Sequence, residues 1–83
     1  RAKGVRYFSK LGVAEFHMEA GELHKGDEIV ITGPTTGTII HTIDEMRVDL
    51  RPVDTVHKGQ SFSIALPQKI RPSDKLYFWR PLE

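Results

Sequence analysis

Four histidines, His17, His24, His41 and His57, are the side chains best suited to a metal ion. A metal centre needs several ligands that converge, with a second layer of groups to orient them. No pair of these histidines has the i, i+4 spacing or the short-loop spacing that would preset a site. A hydroxyl nucleophile could come from Ser9, Ser61, Ser63 or Ser73, but none sits in a G-x-S-x-G elbow. Asp44 and Glu45 are adjacent, and neighbours on a strand point to opposite faces, so they cannot work as a facing acid–base pair. Gly33-Pro34-Thr35-Thr36-Gly37 has the glycines of a phosphate loop without its G-x-x-x-x-G-K-[ST] spacing. Strand-like Thr38-Ile39-Ile40 follows, so a hairpin turn is expected there. These residues predict no catalytic centre, no metal site and no cofactor.

Contact surfaces are a different matter. Lys3, Arg6 and Lys10 cluster beside Tyr7 and Phe8, and basic residues among aromatics can follow a nucleic-acid backbone while bases stack. Three charges would give a weak, salt-dependent affinity. The whole chain has 12 basic and 11 acidic residues, a net charge of +1, without the basic excess of a dedicated nucleic-acid binder. Near the end of the chain, Leu76 and Phe78 share one strand face, and Tyr77 and Trp79 share the other. Only one face can meet a core. Tyr77 and Trp79, followed by Arg80, are therefore expected to form a surface for another domain or a partner.

Short runs rich in valine, isoleucine, threonine and aromatics must position these residues. They predict strands at Gly4–Phe8, Val13–Met18, Glu28–Thr32, Gly37–Val48 (bent or broken), Ser61–Leu66 and Lys75–Trp79. Val13, Phe16, Ala20 and Leu23 also fit helical spacing, but Gly21 would lie inside such a helix, and Ala14, Phe16 and Met18 alternate as a strand does. A pattern recurs: Leu23-His24-Lys25-Gly26 precedes one strand and Val56-His57-Lys58-Gly59 another. Ile70-Arg71-Pro72-Ser73 is a degenerate third copy. Each reads as an apolar anchor, a tight turn and then a strand. The whole, residues 1–83, predicts one all-β domain: a small closed or partly open barrel of about six strands.

Composition sets the outer bounds. At 83 residues the chain has room for one small core. No apolar run approaches the roughly 20 residues of a spanning helix, so no membrane partner is expected. Cysteine is absent, which removes disulfides, thiolate metal sites and iron–sulfur ligation and fits a reducing, cytoplasmic setting. The chain opens on Arg1 without a leader and reads as a piece of a longer protein.

Taken together, several segments resemble the C-terminal domain of the U32 peptidase family. Gly4-Val5-Arg6-Tyr7-Phe8-Ser9-Lys10-Leu11-Gly12-Val13-Ala14 is similar to that domain's opening, and Gly21–Ile29 to its second element. Met46-Arg47-Val48, Arg51-Pro52-Val53, Lys58-Gly59 and Arg71-Pro72-Ser73-Asp74-Lys75-Leu76-Tyr77 continue in the same order. The resemblance implies a β-barrel similar to domain II of translation elongation factors. It also implies an accessory role beside an N-terminal catalytic region that acts on protein or peptide. Some relatives serve RNA or quinone-precursor hydroxylation, so RNA contact through Arg6 and Lys10 is the second expectation and oligomerisation the third. The family's cluster-binding cysteines lie outside this domain, and no catalytic residue carries over to any position here.

Overall fold

Alternation of apolar and polar residues writes the fold. In β2 (Val13–Met18) the side chains of Ala14, Phe16 and Met18 are fully buried, while Val13, Glu15 and His17 face outward. The same two-residue period runs through β4 (Glu28–Gly33), where Ile29 and Ile31 are buried, and β9 (Ser61–Ala65), where Phe62 and Ile64 are buried. The computed structural model describes residues 1–78. Among them are ten strands and no helix. The remaining strands are β1 (Ala2–Phe8), β3 (Leu23–His24), β5 (Gly37–Thr42), β6 (Met46–Val48), β7 (Arg51–Val53), β8 (Thr55–Val56) and β10 (Lys75–Phe78). Val13–Met18 is a strand and not the start of a helix, and the expected Gly37–Val48 segment is broken into β5 and β6.

Eight strands form one antiparallel sheet in the order β5-β4-β10-β1-β2-β9-β6-β7, and β3 pairs with β8 as a separate ribbon. The end strands β5 and β7 do not pair with each other, so the large sheet is open rather than closed. The difference from about six strands comes from the break between β5 and β6 and from β3, β7 and β8, which have only two or three residues each. Every strand except β7 sends at least one buried apolar side chain into a single core, and β7 contributes the half-buried Val53. Phe16 and Phe62 stack at its centre, ring centroids 5.7 Å apart.

The recurring pattern of the sequence is one turn built three times. In the first copy the Asp27 N–H donates to the His24 carbonyl at 3.0 Å, and the Asp27 carboxylate accepts from the His24 N–H at 2.9 Å. In the second, the Gln60 N–H donates to the His57 carbonyl at 3.1 Å, and the Gln60 side chain accepts from the His57 N–H at 2.7 Å. In the third, the Asp74 N–H donates to the Arg71 carbonyl at 3.1 Å, and the Asp74 carboxylate accepts from the Arg71 N–H at 2.9 Å. The third residue of each turn has positive φ: Gly26 at 93°, Gly59 at 89° and Ser73 at 73°. This is where a turn of this kind requires a left-handed residue. The anchors behave alike too: Leu23, Val56 and Ile70 are buried, and Leu23 and Val56 are partners across β3–β8.

Candidate functional site

The last strand divides its faces as its sequence predicts. Leu76 is fully buried and Phe78 packs on the core, whereas Tyr77 is 40% exposed. Tyr77 lies opposite Val30 on β4, and Val30 lies opposite Ile40 on β5, so three apolar residues form a row across the outer face. Ile40 is exposed as well. Trp79 and Arg80, the other expected members of this surface, lie outside the described residues.

Arg6 and Lys10 are set apart from that row. Ala2 pairs with Leu76, so Tyr77 sits level with the start of β1. Arg6 lies towards the far end of the strand, and Lys10 in the turn beyond it. The Arg6 guanidinium faces the Glu15 carboxylate across β1–β2 at 3.3 Å. Tyr7, expected beside them as a stacking aromatic, is half-buried, and its hydroxyl donates to the Leu66 carbonyl at 2.8 Å. That bond turns the ring towards the core, away from any base outside it.

The histidines do not disperse entirely. His24 and His57 occupy equivalent places in two copies of the turn, and both meet Glu22. His24 Nε2 lies 3.1 Å from Glu22 Oε1, and His57 Nδ1 lies 3.1 Å from Glu22 Oε2. The pairing of β3 with β8 brings the two turns side by side, which spacing along the chain cannot reveal. His17 Nδ1 is 3.2 Å from the Ser61 hydroxyl on the outer face. Among the described residues no group of three or more histidines and carboxylates is arranged to hold a metal ion. Asp44 and Glu45 are exposed, with Glu45 paired to Arg47 at 2.8 Å.

One polar residue escaped the sequence reading. Asp74 is 2% exposed and accepts hydrogen bonds from the Thr36 hydroxyl and the Arg71 N–H. It lies against Gly33, where a Cβ would come within 2.5 Å of the Asp74 Cγ. The glycine is there because the carboxylate fills the side-chain space, which locks the β4–β5 hairpin to the third turn. The signal was present: Asp74 stands in its repeat where Asp27 stands in the first. Burial holds the Asp27 carboxyl above the ordinary aspartate range, because desolvation penalises its charged form.

Two shallow cavities adjoin on the outer face of β2, β9 and β6, of about 380 and about 330 Å³. They share Leu11, Val13, Arg47, Leu50 and Ser63. Leu11 in the β1–β2 turn is 74% exposed and Leu50 in the β6–β7 turn is 88% exposed. Neither position lies within an alternating pattern, so nothing in the sequence marks them.

The strand order and core describe a known class of domain. The fold matches the C-terminal domain of a Geobacillus thermoleovorans protein assigned to the U32 peptidases, with a TM-score of 0.87 over 95% of this chain and 90% of that one. Its selenomethionine form matches with a TM-score of 0.84 over 90% of this chain and 93% of that one. Sequence identities of 16% and 17% make this a likeness of fold alone. In sequence, the chain is 63% identical over 75 residues to a collagenase of Porphyromonas gingivalis, covering 90% of this chain and 21% of that protein. It is 30% identical over 73 residues to an uncharacterized protease of Methanocaldococcus jannaschii, covering 88% of this chain and 18% of that protein. The chain thus spans about a fifth of the length of the curated relatives it matches. No protein-family model matches it. The fold is that of the C-terminal domain of a U32 peptidase, and the relatives in sequence are named a collagenase and a protease, which bears out the resemblance to that family.

Proposed function

We propose that this chain is a non-catalytic accessory domain of a U32-family hydrolase, presenting a surface to polypeptide substrate or to the hydrolase's own catalytic region. The observation that carries the reading is the match, over 90% of this chain, to a protein named a collagenase, at 63% identity, by a module that accounts for only 21% of it. Most of the relative therefore lies outside this unit. The row of Tyr77, Val30 and Ile40 supports a contact role, because exposed apolar rows gain free energy when covered. Trp79 and Arg80, the other residues assigned to this contact, lie outside the described residues, and Arg6 and Lys10 lie apart from the row, towards the other end of β1. We read the open sheet as a partly open barrel of the translation-factor domain II kind. The support for that is the single core, which is lined by strands from one edge of the sheet to the other.

The test uses the purified chain. Incubated with gelatin and with casein, it is expected to retain both on immobilised supports and to release no fragments. Release of peptides by the chain alone would overturn the non-catalytic role, and failure to retain either polypeptide would overturn its role towards substrate.

A further inference from the structure

From the two adjoining cavities we infer a binding trough for an extended polypeptide segment with bulky apolar side chains and no acidic ones. This deepens the accessory reading above and rests on it, at a surface distinct from the Tyr77 row.

The floor is the outer face of β9, where Ser61 and Ser63 are small and polar, beside Val13 on β2. The walls are the tips of two hairpins: Phe8 and Leu11 on one side, Leu50 on the other. Phe8 is 39% exposed, so all three wall side chains give apolar surface to solvent. Hydroxyls on the floor can meet backbone amides of an extended chain, while the walls take its apolar side chains.

The hairpin tip at Leu50 is built at a cost. Asp49 and Leu50 both have positive φ, 52° and 67°, in the two-residue turn joining β6 to β7. Asparagine, aspartate and glycine enter that region readily, and leucine does not. The strain gains no burial among the described residues, where Leu50 is the most exposed large apolar side chain. A ligand seated against Leu50 would supply the missing contact.

Charge and area choose the occupant. Arg6 pairs with Glu15, and Arg47 with Glu45, so both arginines around the trough are already engaged within the chain, and Asp49 adds an acidic group to its lining. An acidic segment would lose solvation there without finding a free cation. The three wall residues expose a few hundred Å² of apolar surface, well short of the roughly 800 Å² each copy contributes to a stable dimer. The trough therefore fits one short segment better than a second copy of this chain.

A fluorescein-labelled octapeptide of alternating leucine and glutamine is the probe, with leucine–glutamate as its charged counterpart, read by anisotropy on the intact chain. The neutral peptide is expected to bind and the charged one to bind at least about tenfold more weakly. Leu50→Gly and Leu11→Ser are each expected to weaken the neutral peptide roughly tenfold, the effect of losing one buried leucine side chain. Leu50→Gly also relieves the strained turn, so this variant should unfold at a higher urea concentration than the parent while binding less. Equal binding by both peptides, or unchanged binding in both variants, would overturn the trough. Failure of the parent chain to bind the neutral peptide would overturn the trough and, with gelatin retained, leave the accessory reading standing, whereas failure to retain gelatin or casein would overturn the role towards substrate. Sedimentation showing a dimer that Leu50→Gly dissolves would assign the surface to a second copy and likewise overturn the inference.

Discussion

Replacing Gly33 with alanine adds a single methyl group, and the structure places that group where the Asp74 carboxylate already is. The new Cβ would lie within 2.5 Å of the Asp74 Cγ, far inside van der Waals contact, so the carboxylate has to leave. Its departure breaks two hydrogen bonds to an ionisable group, from the Thr36 hydroxyl and the Arg71 N–H. Bonds to charged groups contribute about 1.5–3 kcal/mol each. Part of this returns when the expelled carboxylate reaches water, which leaves an expected loss of about 3 kcal/mol. That is a large share of the roughly 4–12 kcal/mol that holds a domain of this length together. Gly33 does not have positive φ, so backbone strain adds nothing to the figure. Urea unfolding followed by far-ultraviolet circular dichroism measures the loss directly. A double-mutant cycle then isolates its cause. In an Asp74→Ala background the obstacle is gone, and Gly33→Ala should cost no more than about 1 kcal/mol, a coupling of about 2 kcal/mol. If Gly33→Ala costs the same in both backgrounds, or under about 1 kcal/mol in the parent, the lock between hairpin and turn does not exist as described.

Two further expectations concern the repeated turns. Gly26→Ala and Gly59→Ala meet no atom within 4 Å, so each should lose only the about 1–2 kcal/mol of left-handed backbone strain, while Ser73→Gly should stabilise by about 0.5 kcal/mol once glycine's greater unfolded freedom is subtracted. Urea midpoints of the three variants, ranked in the opposite order or all unchanged, would contradict the shared geometry. The second concerns pH. Because burial raises the Asp27 pKa, the folded chain holds that proton more tightly than the unfolded chain does, so this group's contribution to stability falls as pH rises through the window just above the ordinary value of about 4. Asp27→Asn keeps the acceptor for the His24 N–H and should flatten that part of the stability profile; an unchanged slope between about pH 4 and 6 would refute the assignment.

Strands that alternate over four residues or more were legible before any coordinates. Ala14, Phe16 and Met18 in β2, and Phe62 and Ile64 in β9, announce their buried faces by spacing alone. The ribbon of β3 and β8 was not legible, because two residues carry no period and each strand exists only through its partner. The recurrence of Leu23–Gly26 in Val56–Gly59 did forecast a common turn, and in the structure the third residue of each turn has positive φ. It could not forecast that the two copies lie together, which is why Glu22 bridging His24 and His57 went unseen. Asp74 was hidden because a carboxylate reads as surface in any pattern of apolar and polar residues, and only its backbone and hydroxyl donors make burial tolerable. The trough is built from turn residues, Leu11 and Leu50, whose directions are set by hairpin geometry rather than by period. As for the expected contact residues, Tyr77 stands on the outer face, while Arg6 is held by Glu15 at the opposite end of β1.

The open sheet has two unlike borders among the described residues. β7 carries Pro52 in its middle, a residue with no N–H to offer a newcomer, and it is only three residues long. β5 runs for six residues, Gly37–Thr42, contains no proline, and shows Ile40 to solvent. Backbone pairing with a neighbour can therefore proceed from one border only. Two molecules joined through β5 would leave just their stoppered borders facing outward, so lateral growth ends at a pair and the architecture carries its own brake against fibre formation.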